Sequence, residues 1–344
     1  MKRFTLGDAL RGIAALGVIV GHTKLPVPWP HVNALWPDFF FVLSGFVLSK
    51  YYRDDQTQGN FARYAAKRIV RFYPLVIFVV ACSVVITWLS ALVLHIDGWE
   101  SRYAPLTVLG AAALLQIIYL PSISVITPLW SLSAEVFVNL GTYWVVRRYG
   151  TRMLVALSVL GIGLVLWQAP LQNSVTNPHA LFSGWGSLGR ALSGFCLGLL
   201  AQKFPAKKLS AAALTGCAVL LVGLGWFSNE SAFVFVVAAP VFAYTLRYVY
   251  LLEPMFAKTR LTGLAEFLGT SSFGIYVWHR ALQPITHQIA VKVSSNSVVI
   301  SVIDFVLLVT VSVIATRITY RWLEKPTMSW INARTRIQPA VAKP

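Results

Sequence analysis

Apolar runs of about 20 residues recur from one end of this chain to the other, and short clusters of lysine and arginine separate them. An α-helix needs about 20 apolar residues to cross a hydrocarbon core that is about 30 Å thick. Only 12% of the 344 residues are charged, whereas soluble globular domains carry about 25%. The sequence therefore predicts an all-α fold, a polytopic bundle of transmembrane helices.

One apolar stretch is too short to be counted as a span on length alone. Residues 106–120 form a run of about 15 residues that contains Gln116 and ends before Pro121, which is typical of a re-entrant or interfacial segment. The other runs indicate about ten spans. Their approximate bounds are 6–25, 33–51, 72–94, 128–146, 152–168, 185–202, 210–227, 231–250, 271–290 and 298–319.

The distribution of lysine and arginine decides between ten and eleven spans, because cytoplasmic loops carry an excess of both residues. With ten spans and a cytoplasmic N-terminus, 23 of them lie on the cytoplasmic side and 3 lie outside. An eleventh span at 106–120 would leave 9 inside and 17 outside. We therefore predict ten spans plus a re-entrant segment, with both termini in the cytoplasm. The membrane domain would cover residues 1–326, and a basic cytoplasmic tail would cover residues 327–344.

The formal net charge of +17 raises the question of nucleic-acid binding. Basic residues that border spans are explained by topology and by anionic lipid headgroups, and no nucleic-acid-binding motif is present. Cys82, Cys196 and Cys217 fall in apolar runs, which argues against a disulfide or a metal cluster, and no histidine spacing indicates a metal site. We expect membrane lipids, and neither nucleic acid nor a metal, as partners.

Two ionisable residues lie within the first predicted span. Arg11 and His22 are eleven residues apart, so a helix places them on one face, about 16 Å apart along its axis. Ionisable residues inside a span are costly and commonly face a bundle interior or a wet cavity. The spacing predicts a polar lane along this helix through most of the bilayer.

Two carboxyl groups are predicted in the same outer half of the membrane as His22. Asp38 begins the second span, which a short connection makes a neighbour of the first. Glu135 lies in the fourth span, on a polar stripe with Ser131 and Asn139. An acid beside a histidine can orient its ring and support the imidazolium. The alternative for each acid is an interhelical hydrogen bond or ion pair without chemistry.

Arg68 and Arg71 precede the third span. They are three residues apart, so a helix presents both on one face at the cytoplasmic surface. Paired guanidinium groups can hold a phosphate through bidentate hydrogen bonds. Anchoring of the span by positive charge is the alternative interpretation of this pair.

Tyr276 and His279 share a face of the ninth span near its middle. A single histidine in a membrane helix is often only hydrogen-bonded to a neighbouring helix. A polar, hydrated centre in the bundle becomes the favoured interpretation when four ionisable residues are predicted within spans. They are His22, His279, Asp38 and Glu135.

Taken in order, these motifs resemble the bacterial acyltransferase 3 family of membrane O-acyltransferases, over residues 10–326. A single Glu135 stands where many members have two consecutive glutamates, and Asp8 precedes Arg11 at the offset that is usual in the family. The resemblance rests on Arg11 and His22, residues 39–46, Arg68 and Arg71, residues 130–135, Tyr276 and His279, and residues 324–326.

The resemblance implies a reaction and a location. An acyl group, with acetyl expected, would pass from cytosolic acyl-CoA to a hydroxyl of a cell-surface or exported glycan or glycolipid, in the bacterial inner membrane. The main alternative from the residues is a transporter or flippase for a glycolipid or polysaccharide precursor, which also needs a charged interior. The absence of an inverted repeat argues against that alternative.

The resemblance and the residue chemistry together assign roles. His22 would be the general base for the acceptor hydroxyl, and Glu135 or Asp38 would orient it. Direct transfer and a covalent acyl-enzyme both remain open. Residues expected to bind acyl-CoA are Arg11, Arg68 and Arg71, and those expected to contact the substrate are Ser131, Ser133, Tyr276 and His279.

Overall fold

The computed structural model describes residues 4–27, 32–53, 61–94, 103–119, 125–171, 184–205, 210–227 and 233–334. These ranges are almost entirely helical and contain no strand, which confirms the all-α prediction. A 3₁₀ turn at Val32–Leu35 precedes α2, and a π-helix at Tyr320–Glu324 joins α12 to α13. The α-helices are α1 (Thr5–His22), α2 (Trp36–Arg53), α3 (Phe61–Leu94), α4 (Pro105–Ala112), α5 (Gln116–Tyr119), α6 (Leu129–Gly141), α7 (Tyr143–Leu171), α8 (Gly184–Ala201), α9 (Ala211–Phe227), α10 (Phe233–Phe256), α11 (Thr262–Val293), α12 (Ser297–Thr319) and α13 (Lys325–Arg334).

Four helical stretches in the described ranges are long and apolar enough to cross a membrane. They are α3, α7, α10 and the continuous stretch from α12 through α13. These helices turn apolar side chains such as Val85, Leu92 and Val159 outward, with about half or more of each exposed. Because lipid is the medium in which such a surface is stable, these stretches are typical of a membrane protein.

The short apolar stretch at 106–120 is split into α4 and α5. The chain turns between them at Leu114, whose φ is 55°, and Leu120 lies outside the described residues. α4 has 8 residues and α5 has 4, so neither helix reaches the length of about 20 residues that a crossing needs.

α7 changes direction at Gly150. Its φ of 65° lies in the left-handed region, which glycine adopts without steric cost. α6 and the part of α7 before Gly150 follow the predicted fourth span, and the part after it follows the fifth. One glycine therefore separates two runs that would otherwise read as a single long helix.

The helices pack in close pairs, of which α1 with α11, α2 with α8, α7 with α8, and α11 with α12 are the most extensive. Gly45 of α2 lies directly against the backbone of Phe195 in α8, where any Cβ would overlap the Phe195 carbonyl oxygen. Such close approach through small residues is the usual packing of membrane helices. Since Gly45 faces α8, its neighbour Ser44 points elsewhere, into the cavity described next.

Candidate active site

A cavity of about 1180 Å³ lies among α1, α2, α3, α6 and α11. The π-helix and α13 complete its wall, and α13 packs against α3. Among the described residues, six lysine or arginine side chains and three acids line the cavity, which gives this lining a surplus of positive charge. The charged residues of the lining are Asp8, Arg11, Arg63, Lys67, Arg68, Arg71, Glu135, Glu324 and Lys325.

The paired arginines of α3 form one wall. Arg68 and Arg71 both line the cavity, and their guanidinium carbons lie 5.8 Å and 6.0 Å from the centre of the Phe72 ring. Nε of Arg68 is buried and has no hydrogen-bond partner among the described residues. Arg11 of α1 joins this wall, with Asp8 3.9 Å away. Guanidinium groups with unused donors suit an anionic group, phosphate above all.

Glu135 lies on the wall formed by α6. Its Oε1 accepts a hydrogen bond from Ser44 at 2.6 Å and a weaker one from Nδ2 of Asn139 at 3.4 Å. Its charge also interacts across the cavity with Arg11 and Arg71. The expected contact between Glu135 and His22 is not formed among the described residues, because Glu135 faces the arginines and Ser44.

A pair of hydroxyl groups closes the deep end of the cavity. The Ser131 and Tyr276 hydroxyls lie 2.6 Å apart in a hydrogen bond, and both are within donating distance of the Pro128 carbonyl, at 3.2 Å and 2.9 Å. The edge of Phe40 packs against the Tyr276 ring, with 5.6 Å between the ring centres. We call Ser131 and Tyr276 the floor.

Two histidines lie one helical turn beyond the floor. The His279 ring is fully buried, 6.0 Å from the Tyr276 ring and 5.1 Å from the His22 ring. Nδ1 of His279 lies 2.8 Å from the Tyr276 carbonyl. Because a carbonyl only accepts, Nδ1 carries the proton. Nε2 of His279 is then left without a partner among the described residues. Neither histidine lines the cavity.

The predicted polar lane along the first helix is wrong. Ala14, Ala15 and Val18 lie between Arg11 and His22 on that side of α1 and are at most 5% exposed. Val18 packs in an apolar cluster with Phe72, Leu75 and Tyr276, among others, so protein fills the space along the helix. The cavity instead descends between α2, α3, α6 and α11.

Asp38 has a different partner from the expected one. Its two oxygens accept from Nε and Nη2 of Arg190 in α8, at 3.1 Å and 2.6 Å, and both side chains are fully buried. Arg190 also donates to the Ala34 carbonyl at 2.9 Å and lies 3.9 Å from the centre of the Phe235 ring. Asp38 is therefore a partner of Arg190, and the expectation that it orients His22 is wrong. The sequence offered a signal, since two opposite charges inside spans commonly pair.

Ser133 is also misplaced by the sequence prediction. It is fully buried, donates to the Leu114 carbonyl at 2.6 Å and accepts from the Ile117 amide at 3.2 Å. It thereby fastens the turn between α4 and α5 to α6 and does not line the cavity. Ser131 and Ser133 are two positions apart, which places them on nearly opposite faces of a helix.

Sequence reasoning missed Glu324 as a member of the site. The π-helix Tyr320–Glu324 turns Tyr320 and Glu324 toward the cavity, and α13 continues that wall with Met328. Oε1 of Glu324 is buried without a hydrogen-bond partner among the described residues. α13 spans the predicted domain boundary at residue 326, and residues 335–344 of the predicted tail lie outside the described part.

No group of three histidine, cysteine, aspartate or glutamate residues suited to a metal ion occurs in the described ranges. The family model described as an acyltransferase domain, acyltransferase 3, matches residues 8–320. A relative, protein 2 in the picA locus of Rhizobium radiobacter, is 29% identical over 174 residues, which are 46% of this chain and 88% of the relative. No solved structure matches the chain significantly.

Proposed function

Because the chain belongs to the acyltransferase 3 family and is an acyltransferase, we propose that it carries an acyl group, acetyl first, from acyl-CoA to a hydroxyl of an exported glycan or glycolipid. The observation that carries this proposal is the cavity. It combines a surplus of cations, which suits the phosphates of a nucleotide, with a deep end closed by two hydroxyl groups.

The donor would bind with its phosphates on Arg68, Arg71 and Arg11. Charge-assisted hydrogen bonds from guanidinium to phosphate are among the strong ones, and the buried Nε of Arg68 has no competing partner in the described part. The flexible arm would then run down the cavity and bring the thioester to the floor. There, Ser131 and Tyr276 would give up their hydrogen bonds to each other and to Pro128 and donate to the thioester oxygen as charge develops on it.

The two histidines would handle the proton of the acceptor. His22 would take it from the hydroxyl, and the unpartnered Nε2 of His279 would receive a hydrogen bond beside it. The acceptor oxygen forms the new ester bond, the carbon–sulfur bond breaks, and the proton goes to the departing thiolate. Because the floor separates the histidines from the cavity, the Tyr276 side chain must move aside in the cycle.

Glu135 would act on the donor side. Its contact with Ser44 keeps a carboxylate at the cavity wall, opposite Arg11 and Arg71. A covalent route would place the acyl group on Ser44 or Ser131 before transfer, and a direct route would use neither.

The proposed orientation in the membrane puts the donor and the acceptor on opposite sides. With ten spans and both termini in the cytoplasm, the cavity mouth near Arg63 and Lys67 would face cytosolic acyl-CoA. The histidines would lie toward the outer side, where a glycan acceptor is available. The charge count over the predicted loops supports this orientation.

The test uses purified full-length protein in lipid nanodiscs, acetyl-CoA labelled on the acetyl group, and envelope glycans of the producing cell. We expect label on glycan with the wild type, and its loss with His22→Ala and with Arg71→Ala. The matched control is Arg148→Ala, since Arg148 is exposed and does not line the cavity.

Two outcomes separate the alternatives. Label on the protein in the absence of acceptor, lost in Ser44→Ala or Ser131→Ala, would establish the covalent route. If label reaches neither protein nor glycan while His22→Ala still impairs glycan export in cells, the acyl-transfer proposal is wrong and the transporter reading replaces it.

A further inference from the structure

A second, smaller cavity of about 110 Å³ lies between the ends of α2 and α8 and the bend of α7. It exists because α7 breaks at Gly150, where the left-handed φ turns the helix away from its path. Its polar lining consists of Ser49, Arg147, Gln202 and Lys203, and apolar side chains form the rest.

The polar groups of this lining are hydrogen-bond donors. Oγ of Ser49 and Nε2 of Gln202 are buried, with residue exposures of 4% and 9%, and neither atom has a hydrogen-bond partner among the described residues. Arg147 and Lys203 add two positive charges, and none of the carboxylates in the described part of the chain lines the cavity. Donors that are buried without acceptors are costly, so an acceptor ligand is expected there.

We propose that this cavity binds a phosphate group, supplied by the headgroup of an anionic phospholipid. A phosphate oxygen can accept from the Ser49 hydroxyl and the Gln202 amide together, and its charge is balanced by Lys203 and Arg147. The charge count places the ends of α2 and α8 on the cytoplasmic side, which is the level of lipid headgroups. Nζ of Lys203 donates a hydrogen bond to the Thr151 hydroxyl at 2.6 Å, at an exposed position. The ammonium group of Lys203 therefore lies at the entrance of the small cavity.

The small cavity is connected to a wall of the large cavity through a contact between Arg147 and Tyr143. The guanidinium carbon of Arg147 lies 5.4 Å from the centre of the Tyr143 ring, and Tyr143 stacks on Tyr64 with 4.7 Å between ring centres. Tyr64 and Tyr143 both line the large cavity. A phosphate that holds Arg147 therefore also steadies an aromatic wall of that cavity. The binding itself does not depend on the proposed acyl transfer and is tested without it.

The competing explanation is ordered water. A cavity of this size holds about three or four water molecules, at about 30 Å³ each. Water accepts from Ser49 and Gln202 as phosphate does, but it brings no negative charge to the Lys203 ammonium group at the cavity. Phosphate-dependent binding separates the two explanations.

The experiment measures binding of dioctanoyl-phosphatidylglycerol to purified full-length protein in neutral detergent, by native mass spectrometry and by the shift in melting temperature. Dioctanoylglycerol, which lacks the phosphate, and inorganic phosphate are tested in parallel. We expect the phospholipid to bind and raise the melting temperature, and the diacylglycerol to do neither. Lys203→Gln and Gln202→Leu should each weaken phospholipid binding at least fivefold.

Two further variants guard against a merely structural effect. Lys203→Arg keeps the charge and should retain binding, and Arg148→Gln removes a neighbouring exposed arginine and should also retain it. Inorganic phosphate that binds as tightly as the phospholipid would support the phosphate site and assign its occupant to the soluble pool. Phospholipid binding that is equal in wild type, Lys203→Gln and Gln202→Leu overturns the proposal and leaves water as the occupant.

Discussion

Two groups of arginine lie inside this helix bundle, and their surroundings differ. Arg190 is fully buried, grips both oxygens of Asp38 and lies against the Phe235 ring. Arg68 and Arg71 stand on a cavity wall where cations outnumber acids, and Nε of Arg68 is buried without a partner in the described part. The charge of Arg190 is paired within the protein, whereas the positive charge around Arg68 and Arg71 exceeds that of the described acids beside it and suits an anion.

Buried charge has two different roles in this bundle of helices. A charge whose partners all come from the chain holds helices together, since removal of either partner leaves the other buried and uncompensated. A cluster of like charge around an open space raises the energy of the empty state and is offset when a ligand of opposite charge enters. Stability and activity should therefore respond oppositely in the two groups.

The largest expected effect is on stability, from Arg190→Ala. Asp38 would remain buried without its partner, and we expect a loss of about 3–5 kcal/mol in the free energy of unfolding. The measurement is thermal unfolding in detergent, with Arg148→Ala as the matched arginine control. The double variant Asp38→Leu with Arg190→Met removes both charges and should recover much of the loss. An unchanged melting temperature in Arg190→Ala would mean that Arg190 does not stabilise the fold, and the proposed difference between the two groups of arginine would be wrong.

The second effect is on donor binding, from Arg71→Ala. A hydrogen bond to a charged group contributes about 1.5–3 kcal/mol, so the KM for acyl-CoA should rise by about 10- to 150-fold. The melting temperature should not fall, because the positive charge on the cavity wall is reduced. Steady-state kinetics of the variant measure the KM, and thermal unfolding of the same preparation measures the melting temperature. A lower melting temperature with an unchanged KM would mean that Arg71, like Arg190, stabilises the fold and does not bind the donor.

The third effect concerns the floor. Tyr276→Phe removes the hydroxyl that bonds to Ser131 and Pro128 and keeps the ring between the cavity and His279. Loss of a neutral hydrogen bond of about 0.5–1.5 kcal/mol predicts a fall of about 2- to 10-fold in kcat, with the KM for acyl-CoA unchanged. A change confined to KM would mean that the floor holds the donor and takes no part in the reacting centre.

The smallest effect is expected from Glu135→Gln, which keeps an acceptor for Ser44 and removes one negative charge from the cavity. An interaction of about 1 kcal/mol between charges in a wet site predicts a KM for acyl-CoA about fivefold lower. Activity should meanwhile fall if the carboxylate serves the reaction. Donor affinity that drops in Glu135→Gln would indicate that the acid positions the arginines and does not repel the ligand.

The sequence predicted much of this architecture because apolar length and charge bias are local properties. The resemblance to the acyltransferase 3 family is confirmed over residues 8–320. Each predicted run contains a helix, while the number of crossings stays a prediction beyond the four long apolar stretches. Arg11, Arg68 and Arg71 do meet at one cavity.

Contacts between helices that are distant in the sequence are harder to predict. Periodicity states which face of a helix a residue occupies, but it does not name the neighbour of that face. The sequence therefore predicts His22 as the neighbour of Asp38, whose partner is Arg190, and predicts a substrate contact for Ser133, which holds the turn at Leu114. The polar lane failed for a related reason, since two polar residues on one face do not show whether the residues between them are packed. The roles of His22 and Glu135 stay predictions.

The π-helix at Tyr320–Glu324 makes the wall of the large cavity sensitive to the geometry of this one turn. A π turn contains one residue more than an α turn, so it acts as a phase shift between α12 and α13. If the turn adopted α geometry with the same number of residues, α13 would rotate by about 100° about its axis. Lys325 and Met328 would then leave the cavity although neither had been substituted. The wider geometry of this one turn thus determines which side chains of α13 line the cavity.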